Sequence, residues 1–264
     1  DRDYIRDCKK LVIGTGRSSK NLLSNYECID RNINIGIRFE TSKEIMEKFT
    51  SVLYNPRILY RTDKYNDLVR TFCFAKTVCP ENFDGLQLIN GSANSNEENN
   101  SNINCAILVS IPLTEPFQGS REFITDIVKM SNRLNNGAMC QLIGDLRRGR
   151  RSTEKTISQN SIKPSFRICT PGDISLCAPK RILDDIIEMI DKLNLVMPGF
   201  ANDSNIIFWP EAKICSSLPK YKNSERFEVD DNLFAIGDGF GISRGLTQAF
   251  ISGKIVGEHL NGSI

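Results

Sequence analysis

The apolar positions of this chain fall into short runs with two different periods. Residues 33–40 (INIGIRFE) alternate apolar and polar side chains, which puts every second residue on one face of a strand. Residues 10–13, 69–74, 85–89, 105–111, 205–209 and 232–236 are apolar runs of strand length. Elsewhere the spacing turns helical. Ile45, Met46, Phe49 and Val52 share one side of a helix over residues 43–52, and Phe123, Ile124, Ile127, Val128 and Leu134 do so over 120–134. Ile182, Leu183, Ile186, Ile187, Ile190 and Leu193 form the stripe of a third helix, opened by Pro179, a residue suited to a first turn. Residues 20–26 read as a helical turn or two, and a last helix runs from about 246 to 259. The order is a piece of α/β at each end with a mixed block of strands and helices between. It predicts one domain assembled from residues 1–24 and 228–264, with a second, mixed α/β domain, residues 25–227, inserted into it.

One stretch breaks the pattern. Residues 90–104 (NGSANSNEENNSNIN) carry almost only Asn, Ser and Glu and cannot bury enough apolar surface to order themselves. They are expected to form a flexible loop within a domain, because a strand follows at once. The chain has 264 residues, and no apolar run approaches the ~20 residues of a membrane span. Its net charge of +2 gives no global field to recruit a polyanion, so neither membrane nor nucleic acid is an expected partner. Nine cysteines are scattered without a CxxC, and His259 is the single histidine. That argues against a metal site and against a Ser-His-Asp triad. Free thiols in a reducing compartment are expected, in the cytoplasm or an organelle stroma or matrix rather than outside the cell. The opening Asp1-Arg2-Asp3 shows no signal peptide or basic presequence, which suggests a fragment or a processed product.

The chemistry concentrates near the carboxy-terminal end, in NLFAIGDGFGISRGLTQAFISGKIVGEH. A buried strand ends in Gly237-Asp238, and Gly239, Gly241 and Gly245 follow. The helix after them carries Ala249, Gly253 and Gly257 four residues apart, a stripe that lets it approach a sheet closely. Gly237 and Gly239 let the backbone bend tightly beside a ligand. Asp238 can accept hydrogen bonds from sugar-like hydroxyls. The helix start offers N–H groups and partial positive charge to a pyrophosphate.

This string resembles the carboxy-terminal FAD motif of flavoproteins with two dinucleotide-binding domains. The segment LVIGTGRSS resembles their Ala-Thr-Gly motif, here Gly14-Thr15-Gly16. The short motifs IGIRFE, RTFC, Cys79-Pro80, Asn90-Gly91, Gln141 with Gly144-Asp145-Leu146, RRST, Pro171-Gly172-Asp173, Met197-Pro198-Gly199 and Pro210-Glu211 follow in the order of one family, the uncharacterised FAD-dependent dehydrogenases. The resemblance spans nearly the whole chain. It implies a partial FAD-binding, Rossmann-like domain built from both chain ends, with an inserted mixed α/β substrate domain. It implies an FAD-dependent oxidoreductase, with NAD(P)H and a small molecule of unknown identity as partners. The cofactor contacts it implies are Gly14, Thr15, Gly16, Gly237, Asp238, Gly239, Gly241, Ser243, Arg244 and Gly245. No residue stands out as a catalytic base. The chain departs from the family at two points. Phe74 to Val78 separate Cys73 from Cys79, with Glu81-Asn82 in place of glycines, and the GxGxxG strand and its acidic partner are missing at the front. The chain is therefore expected to correspond to the carboxy-terminal part of such a protein.

Other features have competing readings. Gly14 to Ser19 also matches GxGxxS, but Glu27 and Asp30 lack the apolar strand that should precede a ribose-binding acid. Arg147, Arg148, Arg150 and Arg151 form a nicotinamide-nucleotide phosphate site, a nucleic-acid contact or a solvated loop. Cys73 and Cys79 are a redox pair or buried thiols, and Glu211 faces a substrate or is a loop charge. Two other functions stand beside the oxidoreductase: a non-catalytic flavin-binding module, and an interaction domain that has lost the cofactor.

Overall fold

A computed structural model describes residues 8–23, 25–30, 32–93, 101–135, 137–214, 218–243 and 245–262. Along the first half of the chain lie β1 (Leu11–Ile13), a 3-10 turn (Gly16–Leu23), β2 (Cys28–Ile29), β3 (Ile33–Ser42), α1 (Lys43–Thr50), β4 (Leu59–Arg61), β5 (Leu68–Ala75), β6 (Thr77–Phe83), β7 (Leu86–Ser92), β8 (Asn102–Ile111) and α2 (Ser120–Asn135). Then come β9 (Met139–Leu142), α3 (Ile143–Arg147), α4 (Glu154–Gln159), β10 (Thr170–Pro171), α5 (Lys180–Val196) and β11 (Ile206–Ala212). The chain continues with β12 (Leu218–Pro219), β13 (Glu228–Asp230), β14 (Leu233–Ala235), a 3-10 turn (Asp238–Phe240) and α6 (Leu246–Leu260). The fold is mixed α/β.

Two compact units share these elements. The larger comprises Asn32–Pro112 and Glu122–Lys213, and the smaller Asp1–Arg31, Leu113–Arg121 and Ile214–Ile264. The smaller unit thus runs past residue 24, reaches back before residue 228 and takes in a middle segment.

The larger unit is organised by a seven-stranded sheet in the order β10-β9-β11-β3-β8-β5-β4. Only β10 and β9 run parallel; every other neighbour is antiparallel. β3 and β8 pair from Ile33↔Ile111 to Ser42↔Asn102. The alternating residues 33–40 do form a strand, and β3 is buried on both faces. Ile35, Ile37 and Phe39 are fully buried, and so are Arg38 and Glu40 on the opposite face. α5 packs across β3, β8 and β5, and the β6–β7 hairpin packs over β11 and β3. Phe39 stacks on Phe200 with ring centroids 4.1 Å apart.

Two local readings change. The polar stretch 90–104 is narrower than composition suggested: Asn90 to Ser92 complete β7, and Asn102 to Asn104 begin β8. Residues 94–100 lie outside the described residues. Asn104 is fully buried because it has a buried guanidinium to bind. β6 was masked by Pro80, which sits inside a two-stranded ribbon, where a missing N–H is tolerated.

The smaller unit holds a three-stranded sheet, β1-β14-β13, and a short β2–β12 ribbon. β1 and β14 are parallel, with Leu11↔Leu233, Val12↔Phe234 and Ile13↔Ala235. Ile13, Leu23, Val229, Ala235 and Phe240 form its apolar core, with Tyr26, Tyr221, Leu233 and Ile242 packed against them. Asp30 caps the start of α2: its carboxylate accepts from Gly119 N at 2.6 Å, Ser120 N at 2.8 Å and Ser120 Oγ at 2.6 Å. Among the described residues no helix is long and apolar enough to cross a membrane.

Candidate functional site

The two glycine motifs leave neighbouring parallel strands at the same edge. Ile236 N donates to the Ile13 carbonyl at 2.9 Å, just before the chain enters Gly14 on one side and Gly237 on the other. The carboxyl edge of parallel strands is where α/β proteins place their ligands. The 3-10 turn after β1 packs on the 3-10 turn after β14, so the motifs meet in space. A Cβ on Gly14 would lie 3.2 Å from the Ile236 side chain, a tight contact that this side chain would have to ease.

The loop after β14 is shaped by backbone geometry. Gly237 has φ +79° and Gly241 φ +70°, both in the region that disfavours side chains. Gly237 N donates to Ser252 Oγ at 3.1 Å, and that hydroxyl donates to the Ala249 carbonyl at 2.7 Å, tying the loop to α6. Gly241 N closes the turn on the Asp238 carbonyl at 3.1 Å. A Cβ on Gly237 would lie 4.0 Å from that of Ala249, and one on Gly253 3.6 Å from Ile236 Cδ1. The small residues at 249 and 253 therefore face the strand end, while Gly257 meets nothing within 4 Å.

Of the residues expected to hold the cofactor, Gly14, Thr15, Gly16, Gly237, Asp238, Gly239, Gly241, Ser243 and Gly245 all belong to this unit. Arg244 lies outside the described residues. Asp238 is half-buried, at the start of its turn, and Gly14 and Thr15 are exposed. Ser243 is only 3% exposed, and its Oγ has no hydrogen-bond partner among the described residues. A buried hydroxyl left this way is costly unless a ligand or water completes it. Asp30 caps a helix, and Glu27 forms an exposed pair with Lys220 at 3.1 Å. His259, in the last turn of α6, lies against Phe234 with centroids 6.0 Å apart.

Other motifs of the sequence converge in the larger unit. Arg38, fully buried, donates through Nε to Asn104 Oδ1 at 2.5 Å, through Nη1 to Glu211 Oε2 at 3.4 Å and through Nη2 to the Cys73 carbonyl. Glu211 turns its other oxygen to Lys213 Nζ at 3.5 Å. A Cβ on Gly91 would overlap the Arg38 guanidinium, so that glycine makes room for it. Cys73 sits at a bulge of β5 with φ +55°. Burial pushes the Cys79 thiol up, against the pull of Arg38, and pushes Cys105 up to about 12. The motifs IGIRFE, RTFC, Cys79-Pro80, Asn90-Gly91 and Pro210-Glu211 each supply a member, but no local pattern announced their meeting, since the members lie on six separate segments.

Gln141, Asp145, Arg150 and Ser152 form a second network. Asp145 accepts from Ser152 Oγ and Arg150 Nε, both at 2.7 Å, and Gln141 bridges the Arg150 carbonyl and Ile174 N at 2.9 Å each. Arg147 pairs with Asp191 and Arg148 with Asp203. The basic run is thus largely neutralised by its own neighbours. Arg148 and Arg150 border an open cleft of about 290 Å³ with Asp145, Thr156 and Asn160.

No protein-family model matches this chain, and no curated protein matches it.

Proposed function

We propose that this chain is the FAD-contacting part of an oxidoreductase and binds the cofactor at the carboxyl edge of β1 and β14. The adjacency of the two glycine turns on parallel strands carries this reading, and the orphaned Ser243 hydroxyl beside them supports it. Asp238 would accept hydrogen bonds from the ribityl hydroxyls. The Gly239 to Gly245 backbone would face the pyrophosphate, with Gly14 to Gly16 as the adjoining turn. FAD supplies hydride or electron transfer at its ring system. The larger unit would select the substrate, and NAD(P)H is the electron donor to try first.

The test is a titration of FAD fluorescence with this protein, wild type beside Asp238→Ala. Quenching that saturates in the wild type, with Kd raised roughly 10–100-fold in the variant, is the outcome expected from losing a hydrogen bond to a charged acceptor. No quenching by a folded wild type, or equal affinity in the two proteins, would overturn the proposal.

A further inference from the structure

Two cysteines outside the proposed cofactor site stand sulfur to sulfur. Cys140 Sγ and Cys169 Sγ are 2.8 Å apart, within the larger unit. Both are free thiols. The separation exceeds the S–S bond length of about 2.05 Å by less than an ångström. Both backbones are pinned. Cys140 lies in β9, paired with Phe208 of β11 on one side and Pro171 of β10 on the other. Gly172 N donates to the Cys140 carbonyl at 3.0 Å, and Thr170 N to the Ala138 carbonyl at 2.9 Å, immediately after Cys169. The sulfurs sit in one apolar cluster with Ile157, Phe166 and Ile206, which holds them facing each other.

We propose that Cys140 and Cys169 are a reversible oxidation site that closes into an intramolecular disulfide. The oxidant is a small-molecule disulfide such as oxidised glutathione. Cys169, half-buried while Cys140 is fully buried, is the sulfur that reaches solvent first. Its thiolate attacks the glutathione disulfide, forming a mixed disulfide and releasing one glutathione thiol. The Cys140 sulfur then displaces the second glutathione. The protein loses two protons and two electrons, and one oxidised glutathione becomes two reduced ones. The Cys169 sulfur and burial hold the Cys140 thiol well above its ordinary range, so the second step is the slow one and quickens with pH.

The bond would clamp the base of residues 141–168. That segment carries α3, α4 and the Arg147 to Arg151 turn, and it lines the 290 Å³ cleft. Cross-linking it removes freedom from the unfolded chain rather than adding native contacts.

The test equilibrates the reduced, full chain in buffers of rising oxidised-to-reduced glutathione ratio, traps free thiols by alkylation and maps the peptides by mass spectrometry. The expected result is a linked Cys140–Cys169 peptide that appears before any other linkage. It should come with a rise in Tm of about 5–10 °C. Cys169→Ser should abolish both, and the linked peptide is read on the wild type whether or not the variant is stable. Full alkylation of both residues in excess oxidised glutathione would overturn the proposal. So would a Cys169–glutathione adduct that persists with Cys140 still alkylated.

Discussion

Replacing Asp185 with asparagine should stabilise the protein at neutral pH and leave it little changed in mild acid. Asp185 lies on α5, is fully buried, and has no hydrogen-bond partner for either carboxylate oxygen among the described residues. Arg181, one turn earlier, commits its guanidinium to Asp67 instead, at 2.6 and 2.8 Å. Burial, and then the neighbouring Asp67, push the Asp185 carboxyl up from 3.8 to about 6, against the opposing pull of Thr62 and Arg181. Between those two pH values the folded protein holds a proton that the unfolded chain has lost. The stability this confers is complete below about pH 4 and is gone once the pH has passed about 6. Two pH units correspond to about 3 kcal/mol. The advantage of Asp185→Asn over wild type should therefore grow by up to about 3 kcal/mol between pH 4 and pH 7, then level off. Urea unfolding at each pH measures it, with Trp209 as the probe. It is the single tryptophan and is fully buried in β11, in the same unit. Titrating groups that do not face Asp185 largely cancel in the difference between the two proteins, so the change belongs to the Asp185–Asp67 pair. A difference that stays flat from pH 4 to 8, or shrinks as the pH rises, would refute the reasoning.

Two further outcomes concern the buried Arg38 cluster. Glu211→Ala should cost about 3–5 kcal/mol in the same unfolding assay, because it strands a buried guanidinium. Gly91→Ala should also destabilise, by driving a methyl into that guanidinium. Because both act through Arg38, the double variant should lose less than the sum of the single losses.

The sequence revealed those parts of the fold whose pattern is local. α5 and α6 stood out because their apolar or small residues recur at helical spacing, and β1 and β14 because short apolar runs meet glycines. β6 is disguised by Pro80, and Asn104 reads as loop because asparagine looks like polar surface wherever its partner is unseen. How the residues around Arg38 meet was illegible for a deeper reason. The guanidinium finds its partners on β5, β8 and β11, and no window along the chain contains more than one of those strands. The glycine turns were the opposite case: each carried its own signature, and only their meeting had to await the fold.

The larger unit begins and ends on adjoining strands. Ala212 pairs with Ile35, and Lys213 N donates to the Asn34 carbonyl at 2.9 Å. This bears on the order of assembly. β1 has to find β14 with most of the chain between them, and the entropy of closing a loop grows with its length. Sheets made from such distant segments form slowly. Once residues 34 and 213 are fastened side by side, the intervening stretch no longer counts as free chain, and the search is left to the short connections outside that clasp. During synthesis Leu11 and Val12 must wait for β14 to be made. By then the strands that shorten their search have all been synthesised, so the glycine turns are among the last parts of the molecule to come together.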